Sequence, residues 1–174
     1  GNDIHAQFVE LGVKYLGLED IIHVYNQYYS FDIREKSYDV VFLMNVLHHI
    51  GDDYGNSAIT LKEAKENIIF QLNGMAEKTK YMVFQMGFNW KGNRDKGLFE
   101  NGTKEEMVEF IKEGTKECWK IVDVGVAERI SDDINYVDLN DYNRQRMDEI
   151  GEFLNRPIFI LKSIKQERKE LDCF

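Results

Sequence analysis

The stretch Tyr38-Asp-Val-Val-Phe-Leu-Met-Asn-Val-Leu-His-His-Ile50 decides how the rest of the chain is interpreted. Its residues 40–44 form a continuous apolar run that is rich in β-branched and aromatic side chains. Such a run is typical of a strand buried on both faces, as in a parallel sheet covered by helices. We therefore predict a central strand over residues 40–44, with Val41 and Leu43 among its most buried side chains.

Polar residues follow this run directly. Asn45, two histidines, Gly51 and two aspartates occupy the positions after the predicted strand. Ligands of open α/β sheets bind in crevices outside the carboxyl ends of the strands. Residues 45–53 therefore predict one edge of a binding crevice.

Strands and helices alternate along most of the chain. Short β-branched runs predict further strands over residues 21–25, 80–85, 120–127 and 157–164. Thr60-Leu-Lys-Glu63 and Thr103-Lys-Glu-Glu106 have the form of capping boxes, which predicts an amphipathic helix after each. Other helices are predicted over residues 4–16 and 141–154, and residues 86–102 are predicted to form a long polar loop. This order predicts an α/β domain with a mostly parallel sheet and helices on both faces.

Composition and charge narrow the classes of partner and location. The 174 residues predict one domain, and the formal charge of −9 disfavours a nucleic-acid backbone as the main partner. No apolar run approaches the length of a membrane span. Cys118 and Cys173 lack metal-site spacing, and we expect reduced thiols and a cytoplasmic location.

Residues 38–50 resemble the fourth-strand motif of class I S-adenosylmethionine-dependent methyltransferases. In that family a Phe/Tyr-Asp-Val-Val start leads into a short polar segment and a Leu-His-His-type ending. The order of the other elements is similar to the family from its second helix to its end. The resemblance implies a Rossmann-like sheet of about five strands, in which 80–86 is the fifth strand, 120–128 the sixth and 158–165 the antiparallel seventh.

The glycine-rich turn that begins this family is missing from the sequence. Glycines at positions 12, 17, 51 and 55 do not follow a suitable strand, and no acidic residue ends a second strand. We therefore expect residues 1–174 to form a single, N-terminally incomplete methyltransferase-like domain. Without the backbone cradle that glycines provide, the isolated chain is expected to bind S-adenosylmethionine weakly or not at all.

The resemblance also implies roles for individual residues. The expected cofactor contacts are Asn26, Gln27, Tyr28, Met44 and Asn45, and the expected substrate contacts are Gln85, Gly87, Asn89 and Trp90. His48 and His49 are the predicted catalytic residues, since histidine titrates near neutral pH. An alternative is that one histidine packs inward while the other caps the adjoining loop. Trp90 and its neighbours suit either a substrate lid or a loop anchored by a buried tryptophan.

Three classes of function remain open. The first is a methyltransferase, or the substrate-side part of one, with an unidentified methyl acceptor. The second is a non-catalytic methyltransferase-like binding module. The third is a metal-dependent hydrolase that uses His48, His49, Asp52 and Asp53. In each case the absent strands leave an edge of the sheet to cover, and we expect either direct pairing of residues 21–25 with 40–44 or a homodimer.

Overall fold

The computed structural model describes residues 4–27, 29, 37–145 and 147–171. The chain divides into two compact units, Gly1–Asp32 and Ile33–Phe174. The single domain predicted from the length of the chain stays a prediction.

The first unit contains one helix, α1 (Ile4–Tyr15), among its described residues. Gly17 follows the helix with a φ of 66°, a left-handed conformation that glycine adopts without strain. The strand predicted over residues 21–25 is wrong. Ile21 and Ile22 both donate their backbone N–H groups to the carbonyl of Leu18, so a turn takes donors that a strand would use for pairing.

The second unit contains a five-stranded mixed sheet. Its strands are β1 (Tyr38–Met44), β2 (Thr79–Gln85), β3 (Trp119–Ile130), β4 (Asp133–Asp138) and β5 (Ile158–Ser163). Their order is β1-β2-β5-β3-β4, and β1–β2 is the one parallel pair in the described sheet. The α/β class, the strand number and the antiparallel last strand are confirmed. The mostly parallel sheet is not, because β5 lies antiparallel between β2 and β3, and β3 turns back through Ser131 into β4, which was not predicted.

The prediction that residues 40–44 form a central strand is wrong. β1 lies at the edge of the sheet and pairs with β2 alone among the described strands. Val41 and Leu43 are half-buried, while Val40 is 47% and Phe42 72% exposed. The apolar run predicted a strand buried on both faces, but the face that carries Val40 and Phe42 is exposed. The predicted pairing of this strand with residues 21–25 required a strand there, and residues 21–25 form none.

One face of the sheet carries the core. Paired residues of β2 and β5 on this face are fully buried, namely Met82, Phe84, Phe159 and Leu161. Trp119 lies on the same face and donates its indole N–H to the carbonyl of Leu72 at 3.0 Å. On the opposite face Phe42 and Tyr81 are exposed. We predicted helices on both faces of the sheet. In the described part of the second unit, helices do not cover the two faces equally.

Both predicted capping boxes are confirmed. α2 (Leu61–Gly74) begins after Thr60, and α3 (Lys104–Thr115) begins after Thr103. In each, the threonine side chain accepts the N–H of a glutamate three residues later, and that glutamate accepts the N–H of the threonine. These reciprocal bonds satisfy backbone donors that the first helical turn leaves without partners.

The C-terminal part differs from the prediction. Residues 141–154 do not form the predicted α-helix in their described part, which holds only the short 3₁₀ turn Asp148–Ile150. Asn155 takes the place of helical bonds, since its side chain accepts the N–H of Met147 and donates to the carbonyls of Met147 and Gly151. Residues after β5 form α4 (Ile164–Leu171), with Ser163 as its cap. No helix among the described residues is long and apolar enough to cross a membrane.

Candidate functional site

Asn45 directly follows β1 and has an unusual backbone conformation. Its φ is 60°, in the left-handed region that asparagine tolerates better than most residues. Its backbone N–H donates to the carbonyl of Gln85, the last residue of β2, at 2.8 Å. The neighbouring ends of the two parallel strands are thus joined where the chain turns out of the sheet.

A closed ring of hydrogen bonds links Asn45 and Gln85 to Arg156. The Asn45 Nδ2 group donates to Gln85 Oε1 at 2.9 Å, and Arg156 Nη1 donates to Asn45 Oδ1 at 2.7 Å. Gln85 Nε2 closes the ring by donating to the backbone carbonyl of Arg156 at 2.9 Å. Because each side chain is held by two partners, both amides have one defined orientation.

Arg156 was not predicted as a site residue. Its side chain is 6% exposed, and its Nη2 group donates to Glu152 Oε1 at 2.6 Å. The guanidinium carbon lies 4.2 Å from the centre of the Phe153 ring, while the buried Nε atom makes no hydrogen bond. Glu152 also lies 4.0 Å from Arg94 in the 86–102 loop. The site thus holds a buried cation that is paired with one partly buried carboxylate.

His48 packs inward against Gly87. Its Nδ1 atom accepts the backbone N–H of Gly87 at 3.1 Å, and its side chain is buried. Burial, reinforced by the charges of His49 and Arg156, lowers the pKa of His48 to about 3. The ring is therefore neutral at pH 7, with Nδ1 as an acceptor and the proton on Nε2.

Gly87 leaves no room for a side chain. A Cβ atom at this position would lie 2.7 Å from His48 Nε2 and 3.3 Å from Arg156 Cζ. Glycine is needed here for close approach, because the residue has no positive φ that would call for it. The chain at the end of β2 is therefore packed directly against the side chains of His48 and Arg156.

His49 faces a different group of partners. Its Nδ1 atom lies 3.2 Å from Asp53 Oδ2, although it makes no well-aligned hydrogen bond. Asp52 completes the cluster, and the potential ligand atoms of the three residues lie within 4.8 Å of one another. Both aspartates are exposed. His48 packs inward, as one alternative predicted, but the capping role that this alternative gives to the other histidine is not shown, because His49 Nδ1 makes no hydrogen bond. Both predicted catalytic roles stay predictions.

The 86–102 loop is anchored rather than open. Trp90 is 9% exposed and donates its indole N–H to the carbonyl of Ile50 at 2.9 Å. The ammonium groups of Lys91 and Lys96 lie 4.7 and 6.0 Å from the centre of its ring. Asn89 is also buried. Of the two interpretations of Trp90, the structure supports a loop anchored by a buried tryptophan.

The structure brings together only part of the predicted site. Asn45, His48, Gln85 and Gly87 gather at the carboxyl ends of β1 and β2, with Met44 half-buried beside them. Asn26 and Gln27 lie in the first unit and are exposed, and Tyr28 lies outside the described residues. Arg156 was missed because nothing in its local sequence signals a contact with a residue 111 positions away.

The first unit has an open groove of its own. It has a volume of about 460 Å³ and lies between α1 and residues 22–25. Glu10, Lys14, Glu19 and His23 line it together with apolar residues. The lining mixes charges of both signs and defines no single ligand chemistry.

No protein-family model, curated protein or solved structure matches this chain.

Proposed function

We propose that the chain is an S-adenosylmethionine-dependent methyltransferase, or the substrate-side part of such an enzyme. The observation that supports this best is the hydrogen-bonded ring of Asn45, Gln85 and Arg156 at the adjoining carboxyl ends of two parallel strands. This is where α/β sheets bind ligands. A ring of oriented amides beside a buried cation is a preorganised polar site, which a purely structural strand end does not require.

Part of the strand order supports the resemblance. With β1 as the fourth strand, β2 as the fifth, β3 as the sixth and β5 as the antiparallel seventh, the β1–β2 pair is parallel and β5 is antiparallel to both of its neighbours. The antiparallel β3–β4 pair has no counterpart in the resemblance. β1 has no strand partner on its outer edge among the described residues. A Rossmann-like arrangement of the sheet is our proposal.

Methyl transfer asks chiefly for alignment. The lone pair of the acceptor attacks the methyl carbon as the bond from carbon to the sulfonium sulfur breaks, and S-adenosylhomocysteine leaves. We assign Met44 and Asn45 to the cofactor, and Gln85 and Gly87 to the side of the acceptor, because these residues meet at the ends of β1 and β2. We assign proton acceptance to His49, because His48 already uses Nδ1 as an acceptor and its low pKa makes it a weak base at pH 7.

Saturation-transfer NMR with S-adenosylmethionine tests this proposal, because it detects weak binding. Of the two outcomes expected without the glycine cradle, weak binding or none, the preorganised ring favours weak binding. We therefore expect a weak signal for the wild-type chain, loss of the signal in Asn45→Ala, and no change in Asn67→Ala. Asn67 is a matched control, since its side chain bonds only to the Glu63 carbonyl of its own helix. No signal in the wild type, or an equal signal in Asn45→Ala, would contradict the proposal and favour the non-catalytic module.

A metal-dependent hydrolase is the second candidate, and the cluster of His49, Asp52 and Asp53 is the observation that favours it. Imidazole and carboxylate ligands suit zinc or manganese. His48 is not part of the cluster, contrary to the four-residue prediction, because its ring points to Gly87. Titration with zinc chloride followed by calorimetry should give tight binding that Asp52→Asn weakens at least tenfold. Equal, weak heats for both proteins would exclude this candidate.

We propose further that a second copy of the chain covers the edge of β1. β1 has no strand partner on its outer edge among the described residues, and such an edge is a template for pairing with another chain. Sedimentation equilibrium should show a dimer in the wild type. Val40→Lys should weaken the dimer, because a charged side chain on an edge strand opposes pairing with a second copy. A wild-type monomer, or a dimer unaffected by the lysine, would contradict the pairing.

A further inference from the structure

Arg156 is the buried charged residue of the site, and its geometry goes beyond that of an ordinary ion pair. It lies immediately before the proline that precedes β5, so a short and rigid connection fixes its backbone next to the sheet. Its side chain reaches back to the end of β1, while its carbonyl is held by Gln85 at the end of β2. One residue therefore ties together the ends of three strands.

The guanidinium group uses its donors for two different purposes. Nη2 bonds to Glu152, which balances the charge, whereas Nη1 bonds to the neutral amide oxygen of Asn45. For stability alone, a carboxylate is the stronger acceptor for a charged donor. The second bond instead defines which end of the Asn45 amide is oxygen and which is nitrogen.

Asn45 retains hydrogen-bonding capacity beyond the ring. A primary amide offers two N–H donors and two lone pairs, and the ring uses one of each. The residue is half-buried, so part of it is accessible from solvent. An amide that is free to flip would present donor and acceptor in either order, whereas the Arg156 bond selects one order.

We infer that Arg156 is a positioning residue, which fixes the side-chain amide of Asn45 in the single orientation that the site presents to its ligand. The contact of Asn45 with a ligand rests on the proposed function, but the positioning of its amide does not. Lysine cannot replace arginine in this role, because a single ammonium group lacks the planar fork that reaches Asn45 and Glu152 together.

NMR of the ligand-free protein tests the inference through the side-chain NH₂ signals of Asn45. In Arg156→Lys these signals should shift, because the oxygen of the same amide loses its charged donor while the bond from Nδ2 to Gln85 remains. Glu152→Gln keeps an acceptor for Nη2 and should leave the Asn45 signals in place. Arg144→Lys is the matched control, because Arg144 pairs with Glu105 and Asp141 away from the site.

Unchanged Asn45 signals in a folded Arg156→Lys protein would overturn the inference. If that variant does not fold, the wild type decides, since a nuclear Overhauser effect between the Arg156 guanidinium and Asn45 NH₂ protons is expected and its absence would overturn the inference as well. Because these readouts need no ligand, they are independent of the S-adenosylmethionine titration. A positioned Asn45 in a protein that binds no S-adenosylmethionine would refute the proposed function alone.

Discussion

Replacing Gly87 by alanine tests how tightly the end of β2 is packed. The added Cβ would lie 2.7 Å from His48 Nε2, 2.8 Å from His48 Cδ2 and 3.3 Å from Arg156 Cζ. Neither side chain can retreat easily, because both are buried, and the His48 ring lies 4.2 Å from that of His49. Movement of the His48 ring would also weaken its bond to the Gly87 N–H.

Overpacking of this kind costs about 1–3 kcal/mol of unfolding free energy. For a chain of this length, that corresponds to a melting temperature lower by roughly 2–12 °C. Gly74→Ala is the matched control, since Gly74 has ordinary helical angles and nothing within 4 Å of its added Cβ. That variant should gain about 0.4–1 kcal/mol.

Thermal and urea denaturation of both variants provide the measurement. A Gly87→Ala protein as stable as the wild type would refute the close approach of His48 and Arg156 to this backbone. Equal destabilisation by Gly74→Ala would show that the effect does not come from the site.

Two further predictions concern pH and helix capping. Folding lowers the pKa of His48 from 6.5 to about 3. Between these two pH values the unfolded state binds more protons than the folded state, so the unfolding free energy should fall as the pH is lowered from 6.5 towards 3. His48→Asn should flatten the slope between about pH 5 and 6.5 in urea titrations, and an unchanged slope would assign it to other groups. Thr103→Ala should cost about 0.5–2 kcal/mol of unfolding free energy, while Thr103→Ser should cost far less, because serine keeps the capping oxygen. Equal losses in both variants would show that the capping bond contributes little.

Local signals were reliable where short-range chemistry determines the structure. The capping boxes at Thr60 and Thr103 predicted the first residues of α2 and α3, because cap, acceptor and apolar stripe lie within a few residues of one another. The polar cluster after β1 was also predicted, since Asn45 follows the apolar run directly.

Long-range partners were not accessible from the sequence. Residues 40–44 have the composition of a buried strand, but burial depends on which elements cover its two faces, and that is decided elsewhere in the chain. The hairpin of β3 and β4 depends on Ser131 with a φ of 59°, a conformation that serine does not signal. Arg156 belongs to the site only because β5 lies beside β2.

Mapping the S-adenosylmethionine site by NMR of the isotopically labelled protein is the decisive test of the proposed ligand site. We predict weak, saturable chemical-shift changes that are largest at Asn45, Gln85 and Gly87, where the carboxyl ends of β1 and β2 meet. Changes concentrated at the opposite ends of these strands, near Tyr38 and Thr79, would contradict it, as would the absence of any change at saturating ligand.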